Sequence, residues 1–257
     1  MDATPFSLKH EVAIVTGGNG GIGRGIAEGF AAAGSHVVVV ARNQAKIDKA
    51  VEEIQQHYNA RVLGFSCDVT KQTDIKEMMK EVHQKLGKIN ILVNNAGMNI
   101  RKMPQDYMPE EWDRVIETNL RGPFLCCHAV YPFMKETGSG KIINIGSMTS
   151  IFGGAKLAPY GASKGAIVQL TKSLATAWAP DHIQVNAILP GWIDTDLTRQ
   201  ARKDIEGLNE RVLERTPSGR WGVPSDLAGT AVFLASAASD FVTGVAIPVD
   251  GGFSTFL

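Results

Sequence analysis

Val12-Ala13-Ile14-Val15-Thr16 runs without a gap into Gly17-Gly18-Asn19-Gly20-Gly21-Ile22-Gly23, and a stretch of helical period over residues 22–33 follows. The first run is β-branched and apolar, which suits a strand covered on both faces. Its glycine-rich continuation lets the chain turn tightly and brings backbone close to a ligand. The helix behind it presents a positive N-terminal end with unpaired N–H groups, a setting that favours an anion such as a pyrophosphate. The run fits GxGxxG from Gly18 and, better, TGxxxGxG from Thr16, whose first glycine follows the strand directly. Such a cluster also occurs as a plain structural turn, so the strand and helix on either side carry the reading.

Working outward, short apolar runs recur at 36–41, 62–67, 89–94, 141–145, 183–189 and 245–249. Amphipathic stretches separate them at 44–57, 73–86, 109–134, 163–179 and 225–235. The alternation predicts an α/β chain with a doubly wound, seven-stranded parallel sheet and helices on both faces. No repeat or linker interrupts it, so residues 1–257 read as a single domain. The weakly patterned segment 190–224, broken by Gly207, Pro217 and Gly219, reads as a substrate-covering lid with some helix.

Composition narrows the partners. Lysine plus arginine (26) equals aspartate plus glutamate (26), so no overall field favours nucleic acid or an anionic membrane. The longest aliphatic run, 37–41, is far too short to span a bilayer, and residues 1–10 carry Asp2 and no apolar core of a secretory signal. Cys67, Cys126 and Cys127 are odd in number and match neither a disulfide framework nor zinc-ligand spacing. A cytoplasmic protein with free thiols and no metal is expected.

The second strand ends Val40-Ala41-Arg42-Asn43, with no acid before Asp48. A carboxylate there would bind the ribose hydroxyls of NAD; the Arg42 guanidinium could instead pair with a 2′-phosphate, which favours NADP(H) over NAD(H). The alternative reading of Arg42 is a solvated arginine at a strand end. Asp68, after the third strand, either meets the adenine edge or caps a turn.

Tyr160 and Lys164 stand four residues apart in Tyr160-Gly161-Ala162-Ser163-Lys164, hence on one face if this segment is helical. A phenol is a poor base at neutral pH, but a nearby ammonium and an oxidised nicotinamide both favour the phenolate. The pair could then exchange a proton with a substrate oxygen.

Several motifs occur together in one order: Thr16-Gly17 through Gly23, Asn94-Asn95-Ala96-Gly97, Asn119, Ser147, Tyr160 with Lys164, and Pro190-Gly191 with Thr195. Along almost its whole length the chain resembles the short-chain dehydrogenase/reductase family, which implies a Rossmann fold and transfer of hydride between nicotinamide and an alcohol or carbonyl carbon. The resemblance makes Tyr160 the acid/base and has Ser147 stabilise the developing alkoxide. Lys164 would bind the nicotinamide ribose and lower the tyrosine pKa, and Asn119 would anchor a water linking Lys164 to solvent. The cofactor would lie along Thr16, Gly17, Asn19, Gly21, Ile22 and Gly23, then Arg42, Asp68 and Val69. Beyond these it would meet Asn95, Ala96 and Gly97, then Tyr160 and Lys164, then Pro190, Gly191, Ile193 and Thr195. Hydride passes directly, so no metal is called for.

The family hosts many substrates, so local residues must decide. Met98-Asn99-Ile100-Arg101-Lys102-Met103-Pro104 and Ser218-Gly219-Arg220-Trp221-Gly222 are similar to segments of sugar and sugar-acid dehydrogenases, gluconate 5-dehydrogenases among them. Arg101 or Lys102 could pair with a substrate carboxylate, or both could belong to a solvated basic loop. Trp192 with Met148, Ile151 and Phe152 could instead form an apolar wall for a hydrophobic ketone. The readings are therefore a sugar, sugar-acid or polyol dehydrogenase, a reductase of 3-oxoacyl thioesters or general carbonyls, and a non-catalytic NADP-binding protein. The resemblance further implies a homotetramer built through segments such as 112–134 and 163–179 and an apolar terminus, 251–257, carrying Phe253, Phe256 and Leu257.

Overall fold

Strand β1 (Val12–Thr16) lies inside a sheet of seven parallel strands, in the order β3-β2-β1-β4-β5-β6-β7. The computed structural model describes residues 4–256; Asp2 of the N-terminal reading and Leu257 of the apolar terminus lie outside them. Parallel neighbours cannot be joined by tight hairpins, so each crossover carries helix. In chain order the elements are α1 (Gly21–Ala32), β2 (His36–Ala41), α2 (Gln44–His57), β3 (Val62–Ser66), α3 (Gln72–Leu86) and β4 (Ile91–Asn94). There follow α4 (Pro109–Ile116), α5 (Gly122–Thr137), β5 (Gly140–Ile145), α6 (Ala158–Trp178) and β6 (Ile183–Pro190). Helices α7 (Asp196–Asp204), α8 (Leu208–Arg215) and α9 (Ala228–Ala235) precede β7 (Ala246–Val249).

β1 pairs with β2 on one side and β4 on the other, with Val15 opposite Val39 and Val93. Winding therefore reverses after β3, and the loops leaving β1 and β4 part to open a crevice at the strands' C-terminal ends. Every residue of β1 is buried, and covering each of its valine or isoleucine side chains contributes roughly 1.5–3 kcal/mol. One core face gathers Ile26, Phe30, Ile47, Ile54 and Leu234; the opposite face gathers Ile75, Met79, Val82, Val130 and Met134. This two-sided burial is why the central strands lack an alternating pattern.

Two helical stretches differ from expectation. The expected helix over 109–134 is interrupted by a wider turn, Glu117–Arg121, in which the Gly122 N–H reaches back five residues to the Glu117 carbonyl. Pro123 has no N–H to offer the carbonyl four residues before it, so the α ladder cannot run straight through. Helix α6 begins at Ala158, five residues earlier than expected, because Pro159 at its start pre-sets a helical φ. Tyr160 and Lys164 consequently share one helix. Segment 190–224 contains α7 and α8, parted by Gly207 in the left-handed region at φ 66°. Among the described residues no helix is long and apolar enough to cross a membrane.

Candidate active site

The glycine turn is held from behind. Buried Thr16 donates its hydroxyl to the Val93 carbonyl (3.1 Å) and accepts from the backbone N–H groups of Asn95 (3.0 Å) and Ala96 (3.1 Å). Asn95 in turn donates its side-chain amide to the carbonyls of Thr16 (2.9 Å) and Gly17 (3.2 Å). The turn that leaves β4 thus fastens the turn that leaves β1. A Cβ at Gly23 would stand 2.3 Å from both Asn95 Nδ2 and Gly17 O, so only glycine fits there. Gly20, at the N-cap of α1, has no side-chain cap and nothing within 4 Å of where its Cβ would be. An uncapped helix start facing open space suits a pyrophosphate. The residues present fit a dinucleotide in this respect, with Thr16 and Gly23 bracing the turn from behind.

A cleft of about 770 Å³ runs from this turn to Tyr160. It brings together the expected Gly17, Asn19, Gly21, Ile22, Asn95, Ala96, Gly97, Ser147, Tyr160, Lys164, Pro190, Gly191, Ile193 and Thr195. Thr195 N-caps α7, and its Cγ2 lies 3.3 Å from the Cβ position of Gly21, so the lid helix starts against the cradle. The walls also include Met98 of the segment 98–104, and Lys46, Lys49, Gly146, Asp196, Leu197 and Thr198, which the sequence had not singled out. Gly146 immediately precedes Ser147, and Lys46 falls in the first turn of α2, positions that could have drawn notice.

Arg42, Asp68 and Val69 are not among the cleft walls. Arg42 is exposed at the end of β2. Asp68 Oδ1 accepts from the Thr70 N–H (3.0 Å) and hydroxyl (2.8 Å), the turn role left open above. Burial raises its carboxyl, but the Thr70 hydrogen bonds and the charges of Arg42 and Lys71 outweigh it and hold the carboxyl below its ordinary value. Val69 is buried among the residues under α3 and α5.

At the other end, Ser147 follows β5 and caps a short 3₁₀ turn, Met148–Ser150, its Oγ accepting from the Thr149 N–H at 3.1 Å. Ser150 donates to the Lys164 carbonyl at 2.7 Å, which fixes this turn against α6. Lys164 is buried and donates its Nζ to the Ile145 carbonyl at 2.7 Å. Burial brings the ammonium down to about 8. Asn119, in the wide turn, spends its side chain on structure: Oδ1 accepts from the Met98 N–H (2.8 Å), and Nδ2 donates to the Met98 carbonyl (2.9 Å) and Ser163 Oγ (3.3 Å).

Tyr160 departs from expectation. Burial pushes its phenol above the ordinary value, and the groups that oppose this are the Ser147 hydrogen bond and the Arg101 charge. Lys164, expected to lower it, lies 5.7 Å from the ring centroid and is turned to Ile145.

The two cations of loop 98–103 differ in their partners. Lys102 Nζ is bound to both carboxylate oxygens of Glu111, at 2.6 and 2.8 Å. Arg101 is half-buried and, among the described residues, its guanidinium has no hydrogen-bond or ion-pair partner. The suggested apolar wall is not one surface. Met148 and Phe152 pack with Leu189 and Phe253, Trp192 packs on Trp221 in the lid, and Ile151 is exposed. The three cysteines are free and buried, and burial drives the Cys67 and Cys127 thiols up to about 12, so neither serves as a nucleophile.

A Rossmann sheet with a dinucleotide cradle at its crevice and a serine, tyrosine and lysine at the cradle's end defines a nicotinamide-dependent oxidoreductase. A family model described as enoyl-(acyl carrier protein) reductase matches residues 17–254. The 2-dehydro-3-deoxy-D-gluconate 5-dehydrogenase of Bacillus subtilis (strain 168) is 42% identical over 248 residues, 96% of each chain. The gluconate 5-dehydrogenase of Gluconobacter oxydans (strain 621H) is 38% identical over 255 residues, 98% of each. A solved gluconate 5-dehydrogenase from Burkholderia cenocepacia J2315, in complex with NADP and tartrate, superposes with a TM-score of 0.92 at 38% identity over 98% of each chain. The chain belongs to the short-chain dehydrogenase/reductase family and is an NAD(P)-dependent oxidoreductase acting on CH–OH groups.

Proposed function

We propose that this enzyme interconverts the alcohol and carbonyl forms of a sugar acid, with sugars and polyols as poorer substrates, using NADP(H). The observation that carries the substrate class is Arg101, a half-buried guanidinium without a partner among the described residues and close enough to Tyr160 for its charge to act on the phenol. A planar donor fork in that position suits a carboxylate. The divided apolar surfaces speak against a hydrophobic ketone, and the relatives named for sugar acids agree with the assignment.

The nicotinamide, when bound, supplies the hydride acceptor or donor. Tyr160 takes or gives the hydroxyl proton of the substrate, and Ser147 donates to the same oxygen as its charge grows. Lys164 holds the nicotinamide ribose, and Asn119 keeps the loop of Met98 against α6. Arg42, aided by Lys46 of the cleft wall, pairs with the 2′-phosphate. The segment 190–224, with α7 and α8, closes over the substrate. We place the enzyme in the cytoplasm as a homotetramer, with the exposed Trp112 and Phe124 on α4 and α5 as contact residues.

The test is a panel of aldonates, aldoses and polyols set against acetoacetyl thioesters and aromatic ketones, each with NADP(H) and NAD(H). The expected result is the highest kcat/KM for an aldonate with NADP. Preference for a thioester or ketone would overturn the substrate class, and absence of turnover with tight NADPH binding would leave a non-catalytic binding protein.

A further inference from the structure

Loop 98–103 leaves β4 and is tied at alternate residues. Met98 is gripped at both its N–H and its carbonyl by Asn119. The Ile100 carbonyl accepts from the Tyr107 hydroxyl at 2.5 Å. Lys102 is held through its ammonium by Glu111, whose Oε2 also accepts from the Met108 N–H at 3.1 Å and so roots the pair in the start of α4. The Lys102 backbone N–H points at the Tyr107 hydroxyl from 3.4 Å. Arg101 lies between these two fixed neighbours.

Tyr107 does more than hold one loop. Its hydroxyl lies 3.2 Å from the carbonyl of Lys156, in the segment that leads into α6 and Tyr160. A hydroxyl has one proton, so the short contact to Ile100 is the bond it donates, and Lys156 shares that proton at longer range. One side chain therefore touches the chain segment that follows Met98 and the one that precedes Tyr160, both of them residues of the cleft wall.

We propose that Tyr107 is a positioning residue for substrate selection: by tying the Arg101 loop to the segment before Tyr160, it sets the spacing between the guanidinium and the phenol. This rests on the reading of Arg101 as the carboxylate anchor. A substrate held by its carboxylate presents its reacting carbon to Tyr160 only if that spacing matches the chain between the two groups. Fixing the loop in advance removes an ordering cost from each binding event. Lys102 cannot take over, because Glu111 already neutralises it. Neutral substrates make no use of the guanidinium and gain nothing from the tie.

The experiment compares wild type, Tyr107→Phe, Arg101→Gln and the double variant, using the best aldonate and the best polyol from the panel above. Tartrate serves as a dead-end carboxylate probe, titrated calorimetrically into NADP-loaded enzyme so that one reading is independent of turnover. Losing the Tyr107 hydrogen bond should raise the aldonate KM and the tartrate Kd about threefold to tenfold. The aldonate kcat should fall as well, by no more than the same factor, because a looser loop misplaces the reacting carbon, whereas kcat and KM for the polyol should not move. In the Arg101→Gln background the second substitution should add nothing, since the two act through one contact. An equal rise for the polyol, or effects that multiply in the double variant, would overturn the positioning role. So would an unaltered aldonate KM and tartrate Kd in Tyr107→Phe when Arg101→Gln raises both, an outcome that leaves the carboxylate reading standing. Arg101→Gln without effect on either would remove that reading and the Tyr107 proposal with it.

Discussion

Replacing Lys164 by methionine should stabilise the folded enzyme while disabling it. Lys164 is 5% exposed, and burial lowers its ammonium from an ordinary 10.5 to about 8. At about 1.4 kcal/mol per unit this burial costs about 3 kcal/mol of stability wherever the lysine is charged in both states. Methionine fills a similar volume without charge, and the loss of the bond to the Ile145 carbonyl offsets about 1 kcal/mol of the gain. The net expectation at pH 7 is about 2 kcal/mol in favour of the variant, or a Tm higher by about 4–8 °C for a chain of this size. The pH dependence follows from the sign of the shift. Between about pH 8 and 10.5 the unfolded chain binds the proton and the folded chain does not, so wild-type stability rises through that window relative to the variant. Denaturant unfolding followed by tryptophan fluorescence at pH 7, 8.5 and 10 measures both effects. A variant less stable at pH 7, or a difference that stays constant to pH 10, would refute the reasoning.

Tyr160→Phe should lower kcat about 10²–10⁴-fold while leaving NADPH binding, read by fluorescence titration, at its wild-type value; near-normal turnover would end its assignment as acid/base. Because burial holds the phenol above its ordinary value, alcohol oxidation by wild type should climb with pH through the alkaline range, and that limb should vanish in the phenylalanine variant. Gly23→Ala would drive a methyl group to 2.3 Å from Asn95 Nδ2 and the Gly17 carbonyl; lost NADPH binding and a destabilisation of about 1–3 kcal/mol are expected from calorimetry. Arg42→Ala should raise the KM for NADPH more than that for NADH, and Lys46→Ala should do so to a smaller degree; an unchanged cofactor ratio in both would assign the preference elsewhere.

The sheet was readable from sequence because strands buried on both faces announce themselves as unbroken apolar runs: β1 and β2 have the expected bounds. Helix limits were harder to read where proline sets them. Pro159 starts α6 early and Pro123 splits the 109–134 stretch, yet periodicity alone continues across both. The cradle was legible because glycines at fixed spacing have few other uses. What eluded the sequence were pairings across distance. Nothing in Arg101-Lys102 says which cation is free; the answer lies nine residues on, at Glu111, once α4 folds back over the loop. Asn119 was legible as a site residue, but its amide's commitment to Met98 and Ser163 depends on how the wide turn packs against α6.

The wide turn at Glu117–Arg121 has a rotational meaning. Each residue of an α-helix advances about 100° around the axis, and one added residue in a turn displaces everything beyond it by about that angle. Helix α4 packs on α6, whereas α5 packs on α3 over the sheet face. A straight helix of the same composition would have to aim one stripe at both neighbours. The inserted residue acts as a phase shifter between the two helices, so the stripe facing α6 and the stripe facing α3 are indexed independently. Deleting one residue from the turn would rotate one face against the other by about 100° and put the two out of step.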